Sequence, residues 1–180
     1  MDCGVRMSAG RGSQAKGQPR LYAWMIVLAA VVLLADQTSK IWAVSALSDG
    51  ERITVIPQLI QLRLLYNPGA AFSIGSEATW VFALTAAVAV AGILYTARRL
   101  RSPAWAGVLG GILGGAASHL LDRLMRSPGF GRGHVVDFID YGGLFVGNVA
   151  DIALVASCAL LALLSLRGTS LGDEPDKERH

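Results

Sequence analysis

The sequence predicts an all-α membrane protein: a four-transmembrane-helix bundle with a small antiparallel β-sheet on its outer face. Three observations predict this class. The chain has 180 residues, of which 53% are hydrophobic, and its mean hydropathy is +0.47. Only 16% are charged, whereas soluble domains carry about 25%. The apolar residues are concentrated in runs that approach the roughly 20 residues needed to cross a bilayer.

The first span is predicted over residues 21–47. An unbroken apolar run, Leu21 to Ala35, is interrupted by the polar segment 36–40 and then resumes. A cleaved signal peptide is the alternative interpretation, because a basic tail precedes the run and small residues occupy positions 43–46. We favour a retained span, since the polar segment lies well before those positions and the bundle is complete only with this helix.

Three further spans are predicted at residues 78–97, 103–121 and 149–166. Basic residues occur in the N-terminal tail, in the connection at 98–101 and at Arg167. With four spans these positions share one side, and the positive-inside rule makes that side cytoplasmic. The sequence therefore predicts a disordered cytoplasmic tail at 1–20, a single domain at 21–167 and a mobile cytoplasmic tail at 168–180.

The outer connections contain patterns typical of strands. Residues 60–64 alternate apolar and polar side chains, as a half-buried strand does. Residues 136–141, the pair Gly142-Gly143 and residues 144–146 form the pattern of a hairpin, in which glycine permits the positive φ of a tight turn. These segments predict the small sheet.

The third span contains a regular row of glycines. Gly107, Gly111 and Gly115 recur every four residues, a spacing that lets another helix approach closely. Helix packing is the simpler interpretation of this row. The alternative is that the smooth groove also admits a substrate.

Several function classes lack their signatures. The two cysteines, Cys3 and Cys158, cannot form a disulfide framework or a CxxC metal site. The basic residues lie in short flanks without interleaved aromatics, so no nucleic-acid partner is expected. No zinc-binding HExxH helix occurs among the scattered histidines. The sequence thus predicts neither a metal nor an organic cofactor.

Serine chemistry is also disfavoured. Ser118 and His119 are adjacent, and adjacent residues on a helix point about 100° apart. Ser39 and Lys40 have the same defect. A nucleophile and its base need to face each other, which leaves the carboxylates as candidates for hydrolytic chemistry.

Asp137 and Asp151 lie at the mouth of the last apolar span and have no adjacent cation. A charge at mid-bilayer costs about 2.5 kcal/mol or more, so such residues need a partner or a function. Two carboxylates held close together cannot both ionise easily, and one retains a proton. This is the arrangement that aspartic proteolysis uses.

The other carboxylates have simpler interpretations. Asp36 and Lys40 are at i, i+4 and can form a salt bridge on one helix face. Asp122 is followed directly by Arg123, which suggests an ion pair or a hydrogen-bonded support. Asp140 lies near a turn and is expected to be solvated.

Five motifs in this order give the chain a resemblance to a known family, the lipoprotein signal peptidases, which are the type II signal peptidases of bacteria. The resemblance covers about residues 21–166. The motifs are Asp36-Gln37-Thr38-Ser39-Lys40, Tyr66-Asn67-Pro68-Gly69-Ala70-Ala71-Phe72-Ser73, Leu121-Asp122-Arg123-Leu124, Val135-Val136-Asp137-Phe138 and Asn148-Val149-Ala150-Asp151.

The resemblance implies an aspartic endopeptidase of the bacterial cytoplasmic membrane that acts at the outer leaflet. It would remove the signal peptide from prolipoproteins just before a lipid-modified cysteine. The implied partners are diacylglyceryl-modified prolipoproteins and membrane lipids, and the expected state is a monomer. By motif match the catalytic pair is Asp137 and Asp151. The implied substrate-binding or supporting residues are Asn67, Asp122, Arg123, Asn148, His119, Gly115 and Asp36.

The chain departs from the family pattern at two places. Ser118 and His119 stand where the family typically has Gly-Asn, and Gly147 stands where it usually has phenylalanine. An imidazole can donate one hydrogen bond and accept another, so His119 can retain the role of the amide. Gly147 is expected to loosen the packing beside Asn148.

Two other functions fit a four-span protein with buried aspartates. One is a structural protein whose aspartates only pair with arginines. The other is a proton-coupled transporter or channel subunit, since intramembrane carboxylates often serve as proton relays. A relay needs carboxylates staggered through the depth of the bilayer, whereas those of this chain are expected at one boundary, which favours a reaction site.

Overall fold

The structure is a computed structural model that describes residues 18–69, 78–169 and 171. Within these ranges the chain forms four long helices and four strands. The helices are α1 (Pro19–Ala46), α2 (Thr79–Thr96), α3 (Pro103–Met125) and α4 (Val149–Leu166), and the strands are β1 (Ile53–Ile56), β2 (Ile60–Asn67), β3 (Val135–Tyr141) and β4 (Val146–Gly147). The predicted combination of four helices with a small antiparallel sheet is confirmed.

All four helices are long and apolar enough to cross a membrane. Even α4, with 18 residues, rises about 27 Å, close to the hydrocarbon thickness of a bilayer. The fourth span begins and ends where the sequence predicts. The third does not end at Leu121 but continues to Met125, because Asp122 and Arg123 find polar partners inside the protein and their charges do not end the helix.

The centre of the bundle is α3, which packs against the other three helices and is the most buried of the four. Glycines on two faces of α3 leave no side chain between this helix and its neighbours. A Cβ on Gly110 would lie 2.9 Å from the Met25 carbonyl oxygen of α1, and one on Gly114 would lie 2.7 Å from that of Ala29. On the other face, Gly111 and Gly115 lie directly against side chains of α4.

The predicted row of three glycines is therefore correct for Gly111 and Gly115, which let α4 approach. It is wrong for Gly107, where an added Cβ would meet nothing within 4 Å. Gly110 and Gly114 form a second row that faces α1. A four-residue spacing identifies one face of a helix but not how far along that face a neighbour extends.

The sheet has the order β1-β2-β3-β4 and is antiparallel throughout. The predicted strand at 60–64 extends to Asn67, and the predicted turn is present, with φ of +62° at Gly142 and +80° at Gly143. The edge strand β1 was not predicted. In the pairing of β2 with β3, Leu65 lies opposite Asp137 and Asn67 lies opposite Val135. The polar residues Asn67 and Asp137 therefore come close together on neighbouring strands.

The predicted tails lie largely outside the described residues. Pro19 occupies the first turn of α1, where its fixed φ suits a helix start, so the helix begins two residues before the predicted boundary. In the second tail, the Leu171 carbonyl accepts a hydrogen bond from the Arg101 amide, and that of Thr169 accepts one from the Trp105 indole. These two residues thus pack against the start of α3.

Candidate active site

The two predicted catalytic aspartates lie at one place in the fold. Asp137 is near the middle of β3, and Asp151 is in the first turn of α4. Asn148 connects them. Its side-chain amide donates to Asp137 Oδ1 at 2.6 Å, and its backbone N–H donates to Asp151 Oδ2 at 2.9 Å.

Asp137 is the more enclosed of the pair, with a relative exposure of 2% for the whole residue. Each carboxylate oxygen accepts one amide hydrogen bond: Oδ1 from Asn148 and Oδ2 from Asn67, the latter at 3.0 Å. Burial is the largest influence on its pKa, which rises from 3.8 to about 6. Asp151 raises this pKa further, whereas the two amides and His119 lower it.

Asp151 is more open, with 36% of its side chain exposed. It forms a capping box with Asn148, in which each side chain accepts the backbone N–H of the other residue. Such a box satisfies two of the free N–H groups at a helix start. The local sequence Asn-x-x-Asp therefore both begins α4 and fixes the position of a carboxylate.

His119 approaches Asp151 from α3. Its Nε2 atom lies 3.4 Å from Asp151 Oδ1 and 3.4 Å from Asn148 Oδ1. The imidazole thus lies against polar residues of the site, whereas the adjacent Ser118 points to Asp36 instead. Gly115, one turn before His119, lies against Ala150 and Leu154 of α4, so it contributes to the site by helix approach.

Gly147 does not loosen the site in the expected way. Its backbone lies so close to Asp151 that an added Cβ would be 2.9 Å from Asp151 Oδ2 and 3.5 Å from the Phe145 ring. The residue is buried. Its lack of a side chain leaves room for the carboxylate.

A buried ionic cluster holds the backbone next to both aspartates. Lys40, with no exposed side-chain surface, lies 2.6 Å from Asp36 Oδ2 and 2.7 Å from Asp122 Oδ2. Asp36 also accepts the backbone N–H of Ala150 at 2.8 Å, and Asp122 accepts that of Val136 at 3.4 Å. Each of these amides immediately precedes a candidate catalytic aspartate. The cluster therefore connects α1 and α3 to both segments of the site.

Of the two interpretations of Asp122, the ion pair with Arg123 is wrong, whereas a hydrogen-bonded support agrees with the structure. Asp122 pairs instead with Lys40 and with Arg126, whose Nε lies 2.7 Å from Oδ1. Neighbouring residues on a helix diverge, whereas Arg126 is at i+4 and lies on the same face. The expected salt bridge between Asp36 and Lys40 is confirmed.

Arg123 has a different function, which is to hold the backbone of two loops. Its guanidinium donates to the carbonyl oxygens of Asn67 at 3.1 Å, Pro68 at 2.8 Å and Gly133 at 3.1 Å, and also to that of Gly69. Arginine offers five N–H donors in a rigid fork, which suits such multiple contacts. Arg123 thus fixes the end of β2, where Asn67 reaches Asp137. Residues 70–73 of the same motif lie outside the described residues.

Asp140 was expected to be solvated, and this is wrong. Its side chain is 10% exposed and pairs with Arg63 of β2. The hydrogen bond from Arg63 lowers the pKa of Asp140. The partner comes from the neighbouring strand, so it is invisible to an inspection of local sequence.

The sequence did not predict the full contacts of three residues in this cluster. Lys40 was predicted to pair with one carboxylate and pairs with two. Gln37 donates to Ser118 Oγ at 2.8 Å and to Asp122 Oδ1 at 3.0 Å, while Ser118 donates to Asp36 Oδ2 at 2.6 Å. The available signal was the concentration of polar residues at 36–40 inside an apolar span. Among the described residues no group of His, Cys, Asp and Glu is arranged to hold a metal ion.

Comparison with known proteins gives a consistent result. A family model described as signal peptidase (SPase) II matches residues 28–167. The lipoprotein signal peptidase of Leifsonia xyli subsp. xyli is 47% identical over 148 residues, which cover 82% of this chain and 68% of the relative. That of Rhodococcus jostii is 44% identical over 155 residues, which cover 86% of this chain and 76% of the relative.

Solved structures agree with the fold. A bacterial membrane enzyme determined by the in meso method at 2.3 Å superposes with a TM-score of 0.72 at 25% identity, covering 87% of this chain and 95% of that one. A second such enzyme, at 1.9 Å, gives a TM-score of 0.70 at 24% identity, covering 82% and 95%. With the family match over most of its length, the chain belongs to the signal peptidase II family and is a multi-pass membrane protease.

Proposed function

We propose that this protease removes the signal peptide from diacylglyceryl-modified prolipoproteins, just before the lipid-modified cysteine, by an aspartic mechanism in which Asp137 and Asp151 are the catalytic pair. Removal of prolipoprotein signal peptides is the activity of the family to which the chain belongs. The single observation that supports the pair is its geometry: two carboxylates, bridged by Asn148, at the junction of the sheet and the bundle.

The two environments suggest how the roles divide. Asp137 is enclosed and its pKa is raised to about 6, so it is the carboxyl that more readily keeps a proton. Asp151 is more open to water and is the natural general base. Because Asn67 and Asn148 each occupy one lone pair of Asp137, a second lone pair on each oxygen remains for the proton.

The reaction then follows from these positions. The ionised Asp151 takes a proton from a water molecule, whose oxygen attacks the scissile carbonyl carbon. Asp137 donates its proton to the carbonyl oxygen. The tetrahedral intermediate then collapses as Asp151 gives the proton taken from water to the leaving amine and Asp137 recovers a proton from a hydroxyl of the intermediate. No metal or organic cofactor is needed for these steps.

The proposed location is the outer leaflet of the bacterial cytoplasmic membrane, with both termini cytoplasmic. Basic residues at the end of α2 and the start of α3, together with Arg167 after α4, support this orientation. The dyad lies at the opposite end of α4 from Arg167. Lipids would surround the bundle, and the bundle would act as a monomer.

The decisive experiment is cleavage of a diacylglyceryl-modified prolipoprotein by the purified protein in detergent. We expect Asp137→Asn and Asp151→Asn each to abolish cleavage while the variants still unfold cooperatively. Asp140→Asn is the matched control, since it makes the same change three residues along β3 in a carboxylate that pairs with Arg63. Full activity in either dyad variant would exclude the proposed pair.

A further inference from the structure

Each carboxylate oxygen of Asp151 has a close polar neighbour. One carboxylate oxygen, Oδ2, accepts the Asn148 backbone N–H at 2.9 Å, and the other, Oδ1, faces His119 Nε2 at 3.4 Å. The imidazole is one quarter exposed and also contacts Asn148 Oδ1. It therefore touches both the capping residue and the carboxylate that the cap holds.

Gly147 is a third close neighbour of the Asp151 carboxylate. The Oδ2 atom of Asp151 occupies the space next to Gly147 that a side chain would enter, since an added Cβ would lie 2.9 Å from it. Movement of the carboxylate away from Gly147 would strain its hydrogen bond to the Asn148 N–H, which belongs to the capping box. Gly147 thus leaves space for the Oδ2 atom of Asp151, and His119 faces the Oδ1 atom of the same carboxylate.

We propose that His119 is a positioning residue for the peptidase reaction that acts through Asp151: its imidazole orients the carboxylate against the Asn148 amide. The inference rests on the proposed function, because it assumes that Asp151 is the general base. A contact of 3.4 Å is long for a hydrogen bond, and catalytic contacts of this kind commonly tighten when substrate binds.

Several charged groups surround His119. Asp151 of α4 and Asp137 of β3 both interact with the imidazole, Arg123 lies one turn further along α3, and Asp36 and Lys40 of α1 contact the adjacent Ser118 or each other. Among these groups, Asp151 is the carboxylate that His119 Nε2 faces at 3.4 Å, so we expect a change at His119 to act on the reaction through Asp151.

The test compares kcat and KM on a diacylglyceryl-modified prolipopeptide for the wild type, His119→Asn and His119→Leu. Asparagine can still donate a hydrogen bond to Asp151, whereas leucine cannot. We expect His119→Leu to lower kcat by roughly tenfold or more with KM little changed, whereas His119→Asn should restore most of the kcat.

His134→Asn is the matched control, because it removes an imidazole from the loop before β3 and should leave kcat unchanged. An unchanged kcat in His119→Leu would overturn the inference. Equal losses of kcat in the asparagine and leucine variants would also overturn it, since they would indicate a purely structural role.

Failure of the inference can be told from failure of the proposed function. If Asp151→Asn is inactive while the His119 variants keep the wild-type kcat, only the role of His119 is wrong. If Asp151→Asn is active, the proposed function itself is wrong.

Discussion

Asp137 binds its proton more tightly in the folded protein than in the unfolded chain, since its pKa rises from 3.8 to about 6. Its stabilising contribution is therefore fully present below about pH 4 and is lost as the pH rises through about 6. A shift of this size corresponds to about 3 kcal/mol at most. The aspartate thus costs the folded protein stability at neutral pH.

Asp137→Asn should remove this dependence. We expect the unfolding temperature of the variant, measured in detergent from pH 4 to 7, to rise relative to that of the wild type as the pH increases. Asp140→Asn serves as the comparison, because the pKa of Asp140 is lowered and its contribution has the opposite sign. Parallel curves for the wild type and Asp137→Asn would show that burial does not raise the pKa of Asp137.

Arg123 provides a prediction about geometry rather than charge. Lysine keeps the positive charge but cannot reach several carbonyl oxygens at once as the guanidinium does. We expect Arg123→Lys to lower kcat by at least tenfold, because Asn67 would lose its fixed position beside Asp137. Arg126→Lys, one turn along α3, should have a smaller effect, and equal effects would contradict the assigned role of Arg123.

At the scale of elements, the buried cluster depends on Lys40. Lys40→Met would leave Asp36 and Asp122, which are 0% and 1% exposed, without their central cation. Breaking a buried ion pair in this way costs about 3–5 kcal/mol. We expect a large fall in the unfolding midpoint and loss of activity, measured beside Thr38→Met on the exposed side of the same turn. A small effect of Lys40→Met would mean that the two carboxylates are held by their other donors.

The glycines of α3 give a matched pair of helix variants. Gly114→Ala would place a Cβ 2.7 Å from the Ala29 carbonyl and force α1 away, which should cost about 1–3 kcal/mol. Gly107→Ala meets nothing within 4 Å and should gain roughly 0.5–1 kcal/mol from helix propensity. Thermal unfolding of the two variants in one detergent measures the difference. Equal shifts would contradict the close approach of α1 to α3.

The sequence predicted the elements better than it predicted their partners. Apolar runs located the four helices because a bilayer imposes their length. The strand β1 was missed, because its four residues, Ile53–Ile56, are all exposed and show no alternation. The partners of Asp122 and Asp140 were not predicted, because Lys40 and Arg63 come from distant parts of the chain. The proposed catalytic pair and its neighbours were identified from family motifs, whereas the contact of Gly147 with Asp151 could be seen only in the folded structure.

At the scale of the whole molecule, the proposed orientation can be tested with single cysteines. In a background with Cys3 and Cys158 replaced by serine, Ser48→Cys lies after α1 and Ser102→Cys before α3. We expect a membrane-impermeant maleimide to label Ser48→Cys in intact cells or spheroplasts and Ser102→Cys only after lysis. The reverse pattern would place the dyad on the cytoplasmic side.

Asp151 begins α4 as part of its capping box, and Asp36 reaches the same place from α1 through the Ala150 amide. A ribosome makes α1 before α4, so these partners meet only after α4 has been made. A nascent chain that lacks α4 has neither Asp151, the proposed base, nor the Ala150 amide that Asp36 contacts. On the proposed mechanism, the chain can cleave no precursor until α4 has joined the bundle.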